Sequence, residues 1–132
     1  MKIRQVIFAS LCFLGVAGAA HAGFKQQNPV SIDLLNRFAQ GSFGSARNSQ
    51  DGQQSIDCAI TSYKRTLSSQ VVCNAQNVLG QTVFCTAPAS GNLIEAMAAL
   101  DSDSFLNFTY DATGTCTSIT VINGSSFEPK LP

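Results

Sequence analysis

The chain has 132 residues, eight basic and eight acidic side chains, one histidine, five cysteines and no tryptophan. That length implies one domain, and a charged fraction of 12%, about half the usual share, excludes a protein that works through a strong electrostatic field. The clustered Lys and Arg that bind nucleic acid are missing: the one adjacent basic pair, Lys64-Arg65, reads as turn residues.

Residues 1–22 are predicted to be an export signal that is removed. Lys2 and Arg4 form a positive start, and Val6 to Ala20 is an uncharged run of apolar and small residues. Ala20-His21-Ala22 is an A-x-A site that places the cut between Ala22 and Gly23. The run is 15 residues long, short of the roughly 20 that a spanning helix needs. Removal takes away Lys2, Arg4, Cys12 and His21. It leaves 110 residues with six basic and eight acidic groups, four cysteines and no histidine. No transmembrane segment is expected in what remains. Ser, Thr, Asn and Gln make up 40 of those 110 residues against 14 charged ones, a surface suited to the periplasm or the extracellular space.

In chain order, residues 23–30 read as an irregular lead-in broken by Pro29. The spacing of Ile32, Leu34, Leu35 and Phe38 predicts a short helix over 32–40, with Ser31 as N-cap, Asp33 in its first turn and Gly41 as its stop. Asp33 and Arg37 would then be an i, i+4 pair supporting that helix. Residues 41–54 (GSFGSARNSQDGQQ) read as a long Gly/Ser loop. Strands are predicted at 55–63, 67–75 and 81–87. Asn77 and Gln81 flank a three-residue hairpin loop, Val78-Leu79-Gly80, with glycine where a left-handed conformation is needed. A second helix starts at Ser90 and aligns Leu93, Ile94, Met97, Ala98 and Leu100, and Asp101 to Ser104 closes it. Strands at 105–110 and 115–122 follow, joined by Asp111-Ala112-Thr113-Gly114. Residues 128–132 read as an extended tail. The order α-β-β-β-α-β-β predicts one α+β domain over 31–127. It would be a small antiparallel sheet of about five strands with one or two helices on one face, stapled by two disulfides.

Four cysteines in an exported chain imply two bridges. The Gly80 turn sets Cys73 opposite Cys85, which leaves Cys58 for Cys116, and this is the favoured scheme. A tight turn at Arg65-Thr66 would instead set Cys58 opposite Cys73 and leave Cys85 for Cys116. No C-x-x-C is present, so the cysteines read as structural rather than redox or metal-binding.

Without a histidine, Ser-His-Asp and Cys-His pairs and histidine metal sites are excluded. No phosphate loop, cofactor motif or metal cluster is present. Asp101-Ser102-Asp103-Ser104 has oxygens of the kind calcium takes, but reads as a solvated turn. Phe105, Phe108 and Tyr110 read as sheet core. Arg47 and Asp51 in the long loop, with Asp57 just beyond it, are the candidate polar binding residues. These features point to a non-catalytic binding protein whose partner is a protein or another ligand of the envelope or medium, with no cofactor and no nucleic acid. Two alternatives follow from the same residues. One is a hydrolase or lyase in which Asp51 and Asp57 converge. The other is an assembly subunit that adds a strand to a neighbour.

Overall fold

A computed structural model describes residues 23–129 and Leu131, so the export signal and its Ala22 boundary lie outside the described residues. Polar and small apolar residues alternate through much of the chain, and this pattern yields seven strands instead of five. They are β1 (Ser31–Asp33), β2 (Phe38–Ser42), β3 (Ser55–Tyr63), β4 (Ser68–Gln76), β5 (Thr82–Pro88), β6 (Phe105–Tyr110) and β7 (Cys116–Ile122). Two helices interrupt them, α1 (Phe43–Asn48) and α2 (Gly91–Ala98).

Four antiparallel hairpins organise the chain, and each turn ends on a residue in the left-handed conformation: Arg37 (φ 53°), Leu67 (φ 51°), Gly80 (φ 74°) and Gly114 (φ 80°). Three open on an Asp or Asn whose side-chain oxygen accepts amide N–H groups further along the turn. Asp33 accepts from Asn36 at 2.8 Å, Asn77 from Leu79 and Gln81, and Asp111 from Thr113 and Thr115. The first of these overturns the predicted helix over 32–40. Asp33 shapes a hairpin turn rather than a helix start, and Leu34 and Leu35 lie exposed at its tip. β2 then finds a full antiparallel partner in β6, which a nine-residue helix cannot match. The Asp33–Arg37 helix pair therefore has no helix to support.

The predicted loop over 41–54 is also corrected. Ser42 ends β2 and caps α1, accepting the Ser45 amide at 3.3 Å. Only Ser49 to Gln54 remains as loop. The strands from β3 onward and the second helix fall within a residue or two of their predicted bounds.

The strands form two antiparallel sheets, not one: β1-β2-β6-β7 and β3-β4-β5. The buried sides of both sheets share a single core with α1. Val71, Cys73, Ala75, Cys85 and Ala87 come from one sheet, and Ala39, Leu106, Phe108 and Cys116 from the other. β5 touches the start of β7 where the Thr86 amide donates to Gly114 O at 3.0 Å. Leu93, Met97 and Leu100 of α2 and the turn after it pack on the core edge, while Ile94 is exposed. No helix among the described residues is long and apolar enough to cross a membrane.

The ends are fastened to α1. Asn28 N donates to Ser45 Oγ (2.9 Å), and Ser45 Oγ donates to Glu128 (3.2 Å). Asn48 bonds Pro129 O and the Leu131 amide. Gln26 bridges in parallel to Phe127, whose ring stacks on Phe105 at 5.3 Å.

Both disulfides differ from the favoured scheme: Cys58 is joined to Cys73, and Cys85 to Cys116. The registers themselves match, since Cys73 lies directly opposite both Cys58 on β3 and Cys85 on β5. The ladder decides between them. The Asn77 amide bonds Gln81 O and the Ala89 amide bonds Ser69 O, and the alternation of an antiparallel pair then makes Cys73–Cys85 a hydrogen-bonded pair. Such pairs hold their Cα atoms further apart. Cys73 is correspondingly in the closer, non-hydrogen-bonded relation to Cys58, with Cα atoms 4.0 Å apart, and bridges there. Cys85 crosses to the other sheet.

Candidate functional site

The helix that the long-loop prediction missed builds the site. Capping by Ser42 fixes the start of α1, so Phe43, Ala46 and Arg47 lie along one side of a cleft and Ala46 is buried. The first half of β3, Ser55 to Cys58, forms the facing wall. The third side is Leu100-Asp101-Ser102, the turn after α2. Its shape is held by Ser104, whose buried hydroxyl accepts the Asp101 amide and donates to Asn123 Oδ1. The cleft encloses about 550 Å³. Its floor is apolar, made by Phe43, Ala46, Ile56, Cys58 and Leu100, and Arg47, Asp57, Asp101 and Ser102 stand around it.

Two of the three predicted loop residues, Arg47 and Asp57, therefore share this cleft. Asp57 also accepts a cross-strand hydrogen bond from Asn74 at 3.2 Å. Asp51 does not join them. It lines a second, more polar hollow of about 480 Å³ with Gln27, Ser45, Asn48 and Glu128. Its carboxylate is committed to its own loop, where it accepts the amides of Gln53 (2.8 Å) and Gln54 (2.9 Å) and the side chain of Gln54. The Gln54 side chain above all, with these amides, holds the Asp51 pKa down at about 2. Gln54 lines both hollows and separates them. Its Oε1 also accepts the Val30 amide at 2.8 Å. The two carboxylates of the hydrolase reading thus face different hollows.

Sequence reading missed Phe43, Ala46 and Leu100, which give the cleft its apolar character. The signal that would have found the first two is the Ser42-x-x-Ser45 spacing at the start of α1. Asp101 and Asp103 sit in a turn where Ser102 donates to both carboxylates, as the solvated-turn reading expects. Phe108 is fully buried and Tyr110 packs half-buried against the core, as expected, but Phe105 projects from the other face of β6 and stacks on Phe127, so it is not part of the core.

The sulfurs of Cys73, Cys85 and Cys116 lie within 4.8 Å of one another. Tied in disulfides, they are not available as metal ligands. No protein-family model matches the chain, and neither a curated protein nor a solved structure matches it.

Proposed function

We propose that residues 23–132 form a periplasmic or secreted binding protein without a catalytic role, and that the cleft beside α1 holds an apolar side chain presented by a partner protein. The cleft carries this reading. An apolar floor ringed by a cation (Arg47) and two anions (Asp57, Asp101) suits an apolar anchor flanked by peptide groups and charges of either sign. Two disulfides, and the lack among the described residues of a helix that could cross a membrane, are consistent with the location. N-terminal sequencing of protein recovered from periplasm or medium is expected to begin at Gly23.

The binding reading is tested with a photo-crosslinking residue placed at Ser102 on the cleft rim, or at exposed Thr117 on β7 as control. Crosslinks to one discrete protein from Ser102 and not from Thr117 are expected, with Arg47→Glu reducing them several-fold. Equal labelling from both positions, or none from Ser102, overturns the proposal.

A further inference from the structure

The outer strands of a sheet leave main-chain groups unpaired, and proteins blunt such edges with short strands, Lys, Pro or bulges. The outer strands here are β1, β7, β3 and β5. β1 has three residues, and β5 meets the start of β7 where Thr86 bridges Thr115. β3 has nine residues, pairs with β4 in unbroken register and contains no Lys, Arg or Pro. Cys58 and Cys73 form the close, non-hydrogen-bonded kind of pair, so the N–H and C=O of Cys58 point away from β4. By the alternation of the strand, those of Ile56, Ile60 and Ser62 do the same. None of these groups has a backbone partner among the described residues. Gln54 to Cys58, residues of both faces of the strand, all line the cleft, so the cleft runs along this edge rather than over one face of the sheet. The turn after β3 has a complementary character. Leu67 is 92% exposed, so it adds nothing to its own chain's core, and it holds a φ of 51° where glycine would cost less. Lys64 and Arg65 stand just before it, whereas the cleft rim carries Asp57 and Asp101.

We propose that the protein seated on this edge and in this cleft is a second copy of the chain. The inference rests on the binding reading above and names its partner. Two β3 strands pair antiparallel about a two-fold axis at Ile60, joining the two β3-β4-β5 sheets into one continuous sheet. Ile60 exchanges hydrogen bonds with Ile60 of the second copy, and Cys58 with Ser62 of the second copy. The same register sets Ile56, in the cleft wall, opposite Lys64 of the second copy, so each β3–β4 turn enters the mouth of the other copy's cleft. Leu67 there meets the apolar floor. Arg65 lies diagonal to Asp57 on the same face of the joined sheet, a separation that long side chains span. The two-fold axis makes each of these contacts twice. A leucine that costs its own chain strain is thus used by the other.

The test is sedimentation equilibrium of the oxidised protein, residues 23–132, from micromolar to millimolar concentration. A reversible monomer–dimer equilibrium is expected. Ile60→Pro removes an outward N–H and no β3–β4 hydrogen bond, and it should leave a monomer with both disulfides in place. Asp57→Arg and Arg65→Glu, each alone, should weaken the dimer several-fold, and an equal mixture of the two should restore it, because both contacts of the mixed dimer are again between opposite charges. That mixture keeps the proposal falsifiable even where the proline variant does not fold. Leu67→Gly should weaken the dimer several-fold although the monomer becomes no less stable. A dimer that Ile60→Pro leaves intact with the fold retained, or a mixture no tighter than its separate components, overturns the pairing. A protein that stays monomeric while Ser102 still crosslinks to a different protein overturns the second copy as partner and leaves the binding reading standing. Equal labelling from Ser102 and Thr117 removes both.

Discussion

Tyr110 carries its hydroxyl out of solvent, where that oxygen has no hydrogen-bond partner among the described residues. Desolvation raises its pKa, so it stays neutral in the ordinary range, and the cost of the unmet hydroxyl remains. Tyr110→Phe keeps the ring against Phe108 and removes that cost. It is expected to stabilise the protein by about 1 kcal/mol in urea unfolding. Asp51 works in the opposite sense. Its folded pKa, about 2, lies below the ordinary carboxylate value, so its contribution is fully present above about pH 4 and is lost as the pH falls toward 2. Asp33 and Asp111 are lowered too, by the Asn36 amide and the Thr113 side chain respectively, and act in the same direction. The melting temperature should drop between pH 4 and 2, and Asp51→Asn should show a shallower drop over the same interval. At this scale the sequence marks Asp51, and the structure adds that its carboxylate closes its own turn while lining the second hollow. A Gly/Ser-rich loop carrying one Asp looks like a binding loop, whereas the Asp51-x-x-Gln54 spacing lets the carboxylate close its own turn.

Hairpins are where sequence reading did best and where one instructive error arose. Turns that end on glycine were legible, because only glycine adopts the left-handed region without cost. Those ending on Arg37 and Leu67 were not, and the first was read as helix. Both residues carry strain of the order of 1 kcal/mol, and Leu67 is also 92% exposed. Leu67→Gly is expected to raise stability by about 0.5–1 kcal/mol and leave the β3–β4 register unchanged, as amide exchange of the strand interiors would show. A register slip would mean that Leu67 defines the turn. The Gly80 turn does set Cys73 opposite Cys85, but opposition occurs in two kinds of pair. Counting back four residues from the closing Asn77–Gln81 pair shows that Cys73–Cys85 is the wide kind, information the sequence already contained.

For the whole molecule, the central fact is a core made largely of alanine and half-cystine, with Phe108, Leu106 and Val71 as its large fully buried members. Apolar burial alone is thin for a chain of this size, and the bridges compensate. On the chain-entropy model, the Cys58–Cys73 link, spanning 15 residues, contributes about 3 kcal/mol, and the Cys85–Cys116 link, spanning 31, about 3.5–4 kcal/mol. Replacing Cys85 and Cys116 together by alanine should therefore lower the denaturant midpoint more than the same change at Cys58 and Cys73, and the reverse order would refute that ranking. The two-sheet arrangement was not legible, because hydrophobic alternation places residues on a face without saying which sheet the face belongs to. The cleft was only half legible for the same reason: Arg47 and Asp57 are visible as charges, while Leu100 enters from 43 residues beyond Asp57 in the chain.

Gly44 meets the chain's far end: a Cβ there would lie 1.7 Å from Glu128 O. Lys25 reaches Ser125 O, Gln26 pairs with Phe127, and Asn28 and Glu128 meet on Ser45. These contacts join residues up to 100 positions apart, so the segment before β1 and the segment after β7 are held by the most non-local pairings of the fold, the kind that loop-closure entropy makes slow to form.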